Sequence, residues 1–168
     1  PLKDKIKMLG VAEDSQNETI AQATLVDCIV KYISTNPLRD RDISKRKEKL
    51  ILGNDTKLFF RKWFIEEKDL LIARTLLNYF LSIQNKWNDA WNGNSILVKS
   101  TGIIAFMNFL PNIIAKHPLK DIELSQDIFD KILSSVTIQN SDFNNDMFQS
   151  GGVGQRKIKA KLIEEATL

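Results

Sequence analysis

Apolar residues recur at helical spacing along most of the chain, and the clearest case is the segment 68–87. Its apolar positions lie three or four residues apart, at Ala73, Leu76, Phe80, Ile83 and Trp87. This spacing predicts an amphipathic helix with one buried face. The opposite side is predicted to be polar, and its members are Arg74, Thr75, Asn78, Ser82 and Asn85. Leu71 also lies on that side and indicates a second packed neighbour.

Before this segment the pattern is helical but less regular. Residues 18–34 place Leu25, Ile29 and Ile33 on one line, with Asn17 or Thr19 as the cap and Asn36-Pro37 as the stop. Residues 38–56 lack an apolar stripe and are interpreted as a connection with a short helical piece. The aromatic residues of 57–65 favour a short helix, with a strand as the alternative.

The segment 101–116 has almost no polar side. We expect it to lie at the centre of the domain, packed against the helix 68–87. Pro111 removes the hydrogen bond to the carbonyl of Met107, so it predicts a kink or a division into two shorter helices. His117-Pro118 ends the segment, and His117 is interpreted as a residue that caps helix carbonyls.

Two further helices are predicted near the C-terminus. Ser125 is a suitable N-cap for the helix 126–136, and the amide-rich stretch 137–150 is interpreted as a surface loop. The glycine-rich string 151–154 precedes a helix over 155–166. We interpret this string as a flexible link for docking that helix, with phosphate contact by its free backbone donors as the alternative. The fold class that follows is all-α, one domain of about six helices over residues 1–168 with a kinked, nearly all-apolar central helix.

Charge is modest in total but unevenly distributed. The 168 residues carry 24 lysines and arginines against 21 acids, a formal net charge of +3. A first basic cluster in 39–49 has six cations against three acids, a local net charge of +3, and a second cluster lies near the C-terminus. The candidate nucleic-acid contacts are Arg39, Arg41, Lys45, Arg46, Lys47, Lys49, Arg156, Lys157, Lys159 and Lys161. Such clusters either contact phosphates or form a solvated surface.

The residues give little support to catalysis, to a metal or to a cofactor. One histidine, His117, and one cysteine, Cys28, cannot supply a zinc site, and Cys28 is interpreted as an apolar filler in a helix. Trp63 and Trp87 lie on apolar stripes and are predicted to be core, whereas Trp91 lies in a loop and is predicted to be partly exposed. We therefore expect no enzyme, no cofactor and no small-molecule substrate.

No stretch is long and apolar enough to span a bilayer, and no secretory signal is visible at the start. A single cysteine suits a reducing compartment. We therefore expect a soluble, cytoplasmic protein without a membrane partner.

Five short strings carry a resemblance to a known family. They are KDLLI at 68–72, NYF at 78–80, WNDAW at 87–91, ILVKSTGI at 96–103 and SGGVG at 150–154. From residue 20 to the end, the order of residues resembles the C-terminal half of DGQHR-domain proteins, some of which act in the regulation of bacterial DNA phosphorothioate modification. The Asp-Gly-Gln-His-Arg motif that names the family is missing from this sequence, so no motif residue is assigned as catalytic. The resemblance implies a C-terminal part of a longer protein whose upstream domain holds the motif, and a chain that begins at Pro1 is consistent with it.

Two functions follow as hypotheses. The first is a non-catalytic accessory domain of a DNA-modification protein that contacts DNA phosphates or a protein partner through the basic clusters. The second is a structural interaction domain that covers the upstream domain or associates with itself, without nucleic-acid contact. Exposed apolar residues on the helix 18–34 would favour the second.

Overall fold

Seven α-helices account for most of the part of the chain that the computed structural model describes, residues 1–7 and 19–168. They are α1 (Gln22–Val30), α2 (Pro37–Lys45), α3 (Arg61–Ile65), α4 (Asp69–Lys86), α5 (Ser100–Lys116), α6 (Gln126–Ser134) and α7 (Gly152–Glu165). Two short 3-10 turns lie at Ile96–Val98 and Asn140–Asp142. Strands β1 (Ile6–Lys7) and β2 (Ile20–Ala21) pair in parallel, Ile6 with Ile20. The fold is therefore mostly helical, and this strand pair is the departure from the all-α class.

Helix α5 is buried along most of its length, as its apolar sequence predicts. Phe106, Met107, Phe109, Leu110 and Ile113 are almost completely removed from solvent. It packs most extensively against α7 and also against α1, while α4 packs against α6. The predicted pairing of α4 with α5 is therefore not the main packing contact of either helix. Single large side chains join them: Tyr79 of α4 donates its hydroxyl to the Phe106 carbonyl at 2.8 Å, and the ring of Trp87, just after α4, lies 5.3 Å from that of Phe106. None of the described helices is both long and apolar enough to cross a membrane.

Helix α5 continues through Pro111 as one element, so the predicted alternative of two shorter helices is wrong. Proline at 111 has no N–H to donate to the carbonyl of Met107. The hydroxyl of Tyr32 donates to that carbonyl at 2.6 Å, so the freed acceptor is satisfied inside the core. The kink at Pro111 stays a prediction.

The predicted polar side of α4 is partly buried: Arg74 and Asn85 are exposed, and Asn78 is half-buried. Thr75 and Ser82 are almost completely covered, whereas Ala73 on the predicted apolar stripe is exposed. The backbone N–H of Leu124 donates to the Thr75 hydroxyl at 3.4 Å, and Asn78 donates to the Leu124 carbonyl at 2.8 Å. Short polar side chains let α4 approach the start of α6 while satisfying its backbone groups. The packed neighbour that Leu71 indicated is thus present.

The stretch 137–150 is also more than a surface loop. Ile138, Phe143 and Phe148 are buried, and the Trp87 indole N–H donates to the Ile138 carbonyl at 2.8 Å. The Phe143 ring meets Trp87 edge to face at 5.4 Å. Single apolar side chains anchor this segment without helical spacing, so periodicity could not detect them.

The glycine-rich string opens α7, which corrects the prediction of a flexible link before residue 155. Gly151 has φ of 83°, a conformation that favours glycine, and its N–H donates to the Thr101 hydroxyl at 2.9 Å. A Cβ on Gly154 would overlap the carbonyl oxygen of Gln149. Gly151 is therefore explained by its backbone conformation, and Gly154 by the close approach of its backbone to Gln149 and Thr101.

Helix starts differ from the predicted caps. Ala21 occupies the N-cap of α1, and Thr19 instead donates its hydroxyl to the Val98 carbonyl at 2.5 Å. Asn17, the other predicted cap, lies outside the described residues. Glu18, where the predicted helix begins, lies outside them as well. Ser125 is the N-cap residue of α6 in extended backbone, but its side chain makes no capping hydrogen bond. The short helix predicted within 57–65 is confirmed as α3.

Candidate nucleic-acid interface

The first basic cluster does not form a single patch, because α2 divides it. Residues 41 and 45 lie one turn apart on one side of α2. Arg41 and Lys45 therefore border the same groove, which lies between α1, α2 and α3. Arg39 lies on the other side, beside Ile51 and Arg61. Lys47 and Lys49 follow the helix and border an extension of the first groove. The sequence identified these exposed cations but not their distribution over two surfaces.

Two cations of this cluster are paired with neighbouring acids. Arg41 contacts Asp42 at 3.1 Å, and Arg46 contacts Glu48 at 3.3 Å. Both pairs are exposed and lie close in sequence, so they stabilise the fold little. They do, however, lower the net positive charge that the cluster presents to a phosphate.

Helix α2 is held in place by a buried arginine that the sequence analysis did not select. Arg61 donates to the carbonyls of Ile33 and Ile51 at 2.9 and 2.7 Å and to Asp40 at 2.6 Å. The hydrogen bond from Arg61 holds the pKa of the Asp40 carboxyl below its usual range. The only sequence signal for this role is an arginine within a run of aromatic residues.

The second basic cluster is also divided, by the helical geometry of α7. At 100° per residue, Arg156 and Lys159 share one flank of α7, whereas Lys157 and Lys161 share the other. Lys161 donates to Glu165 at 2.5 Å, and this hydrogen bond raises the pKa of the Lys161 ammonium. The second flank is therefore partly neutralised.

A cation outside both basic clusters lies within electrostatic range of the first flank. Lys31, at the end of α1, donates to the Asn108 side chain at 2.6 Å and lies 4.8 Å from the Tyr32 ring centre. Burial lowers the pKa of Lys31, and the positive charge of Lys159 lowers it further. The charge of Lys159 on α7 therefore acts on Lys31 at the end of α1.

We call Lys31, Arg156 and Lys159 the α1–α7 patch. Arg156 is exposed, Lys159 is half-buried and Lys31 reaches the surface. In the part of the chain that the structure describes, no carboxylate forms an ion pair with any of the three. Because like charges repel, a group of cations without acidic partners is suited to an anionic ligand.

The tryptophans do not offer bases a stacking surface. Trp63 and Trp87 are buried as predicted, and Trp63 donates its indole N–H to the Lys120 carbonyl at 2.8 Å. Trp91 was predicted to be partly exposed, and this is wrong. Its side chain is only 8% exposed because its indole N–H donates to the Pro1 carbonyl at 3.0 Å, under the N-terminal residues.

The side chains with catalytic or ligating potential lie apart. Cys28 is buried in the core, and burial raises the pKa of its thiol. His117 is the C-cap residue of α5, and its backbone N–H donates to the Ile113 carbonyl at 2.8 Å. Within residues 1–7 and 19–168, no three or more His, Cys, Asp or Glu side chains are arranged to hold a metal ion.

Comparison of this chain with protein families, with curated proteins and with solved structures gave no significant match. The resemblance to DGQHR-domain proteins therefore stays a prediction.

Proposed function

We propose that this chain is a non-catalytic accessory domain that contacts nucleic-acid phosphates through the α1–α7 patch. The observation that carries the proposal is that Lys31, Arg156 and Lys159 form no ion pair with an acidic partner in the described residues, while the charge of Lys159 acts on Lys31. The hydrogen bond to Asn108 and the Tyr32 ring fix Lys31 against the body of the protein. A fixed ammonium loses less conformational freedom on meeting a phosphate than a free lysine does.

The expected mode of contact is electrostatic and independent of base sequence. Phosphate contacts fix position on a duplex but carry no base information. The buried tryptophans remove base stacking from the proposal. The resemblance to proteins of DNA phosphorothioate modification favours duplex DNA as the nucleic acid, with sequence recognition left to other parts of such a system.

Salt dependence of duplex DNA affinity tests the proposal. Three phosphate contacts predict a slope of log affinity against log salt of about −2.7, or about a 40-fold loss between 50 and 200 mM salt. The double variant Lys31→Gln/Lys159→Gln is expected to bind more weakly and to have a slope smaller by about 2. Fluorescence anisotropy with a labelled duplex measures both quantities.

The matched control is Lys116→Gln/Lys120→Gln, which removes the same charge from two exposed lysines at and beyond the end of α5. It is expected to keep the wild-type slope. An equal loss in both double variants would show a general effect of net charge and contradict the α1–α7 patch. If the wild type does not bind the duplex at low salt, the proposal is wrong.

A second candidate function, self-association or docking to another domain, is favoured by the apolar surface between α1 and α4. Val26 on α1 and Leu77 on α4 are each 46% exposed. A shallow groove of about 190 Å³ between these helices is lined by Leu25, Ile29, Leu77 and Phe80. Exposed apolar side chains on α1 are the feature that this function requires.

A further inference from the structure

An apolar groove with a basic border lies between the end of α1, α2 and α3. Its floor is formed by Val30, Ile33, Leu50 and Phe64, and its volume is about 370 Å³. Phe64 is 40% exposed, so its ring is available at the groove surface. Ser44, Leu50 and Phe64 also line a wider extension of about 640 Å³ that runs towards the start of α4. The two parts form one continuous open channel, which we call the α2 groove.

The charged side chains around the α2 groove are unevenly placed. Arg41, Lys45, Lys47 and Lys49 border it along α2 and the turn that follows. The acids on that side are already engaged, because Asp40 binds Arg61, Asp42 binds Arg41 and Glu48 binds Arg46. Glu67 and Asp69 border the far end. Within the described residues, Lys45, Lys47 and Lys49 have no ion-pair partner.

We infer that the α2 groove binds an acidic amphipathic helix of a partner protein. Its apolar floor takes the aliphatic side chains of one helix face, spaced three and four residues apart. Carboxylates beside that face then lie against the lysines of the border, so the charges of groove and helix are complementary. The open, elongated shape suits a helix better than a small molecule, which would need an enclosing pocket.

The structure keeps this site rigid. Arg61 ties α2 to the end of α1 and to the segment at Ile51 through three backbone or carboxylate acceptors. The side of α2 that faces the groove is thus already fixed in the free protein. This lowers the conformational entropy that is lost when a partner binds. The α2 groove is also separate from the α1–α7 patch, so the two sites are tested by different variants.

The test uses a fluorescein-labelled synthetic peptide of about 14 residues, or four helical turns. Its leucines follow helical spacing, and its remaining positions are Glu and Ala. A second peptide carries Lys in place of every Glu, and a third has the first composition in scrambled order. The acidic amphipathic peptide is expected to bind, with amide shifts in ¹H–¹⁵N spectra at α2, at 46–50 and at Phe64.

Two pairs of variants separate the groove from general charge and folding effects. Lys45→Gln/Lys49→Gln is expected to weaken peptide binding about threefold to tenfold, from loss of exposed charge pairs. Its control, Arg39→Gln/Lys57→Gln, removes the same charge from exposed cations that do not line the α2 groove. Phe64→Ala is expected to weaken binding about tenfold or more. Its control is Leu52→Ala, an exposed apolar side chain on the other side of α2.

Equal binding of the acidic and lysine peptides would overturn the charge complementarity. Shifts that fall outside the α2 groove, or equal losses in test and control variants, would overturn the site. A duplex DNA oligonucleotide that shifts the same amides, with no peptide binding, would assign the surface to nucleic acid instead.

Discussion

Two buried tyrosine hydroxyls hold the central helix by adjacent carbonyls. Tyr32 donates to the Met107 carbonyl at 2.6 Å, and Tyr79 donates to the Phe106 carbonyl at 2.8 Å. Burial raises the pKa of both phenols, so both remain protonated donors at neutral pH. The two carbonyls differ in one respect. Residue 110 can donate its N–H to Phe106 within the helix, but Pro111 has none for Met107.

Tyr32→Phe is therefore expected to destabilise the protein more than Tyr79→Phe. Removing the Tyr32 hydroxyl leaves a buried carbonyl without a donor, at a cost of about 1–3 kcal/mol. Urea unfolding of the two variants and the wild type measures the free energies. Equal losses would show that the Met107 carbonyl has another partner and contradict this account of Pro111.

At the scale of elements, α2 depends on one ion pair for its attachment. Arg61 and Asp40 are both mostly buried, and their oxygen–nitrogen distance is 2.6 Å. Arg61 holds the pKa of Asp40 below the usual carboxyl range, so the ion pair contributes its full share of the folding stability when the pH is above that range. This stability is lost as the pH falls from the pKa of an ordinary aspartate, about 4, through the lower pKa of Asp40 in the folded protein.

Asp40→Asn is expected to lower the free energy of unfolding at pH 7 by about 1–3 kcal/mol, through loss of a charge-assisted hydrogen bond. The difference from the wild type should shrink as the pH falls from 5 to 3, because the Asp40 carboxyl gains a proton in the unfolded chain at a higher pH than it does in the folded ion pair. Unfolding by urea at pH 7, 5, 4 and 3 measures it. A difference that stays constant with pH would mean that Asp40 acts through its shape and not its charge.

Elements with a strong apolar stripe could be predicted from the sequence. The structure places α4 at Asp69–Lys86 within the predicted 68–87, and α5 at Ser100–Lys116 against the predicted 101–116. What periodicity could not show was which polar residues meet a second neighbour. Thr75 and Ser82 look solvated on a helical projection, but α6 covers them.

Irregular segments were harder to predict because their contacts are single and long-range. Phe143 and Phe148 fill the core from a segment without helical spacing. The glycine string looked flexible, yet Gly151 adopts a backbone conformation that favours glycine and Gly154 lies too close to Gln149 for a side chain. The candidate interface was also hard to predict, because its residues are far apart in the sequence. The sequence supplied Arg156 and Lys159, but the charge interaction between Lys31 and Lys159 follows from the tertiary fold and not from their positions in the sequence.

At the scale of the whole molecule, the exposed apolar surface of α1 and α4 makes a prediction about assembly. If the second candidate function holds, the wild type increases in mass with concentration, and Leu77→Glu remains monomeric because a carboxylate cannot be buried there without a partner. Sedimentation velocity measures the mass.

Ile122→Glu is the control, since Ile122 is 65% exposed and does not line this surface. A monomer at every concentration would remove self-association as a function of this chain.

Lys31, Arg156 and Lys159 are proposed to form one surface for phosphates. A ¹H–¹⁵N titration of the protein with a short DNA duplex at low salt examines this surface residue by residue. Amide shifts are expected near residue 31 and along 155–160, and they should disappear as salt is added. If the duplex shifts other amides and leaves both regions unchanged, the α1–α7 patch does not bind DNA.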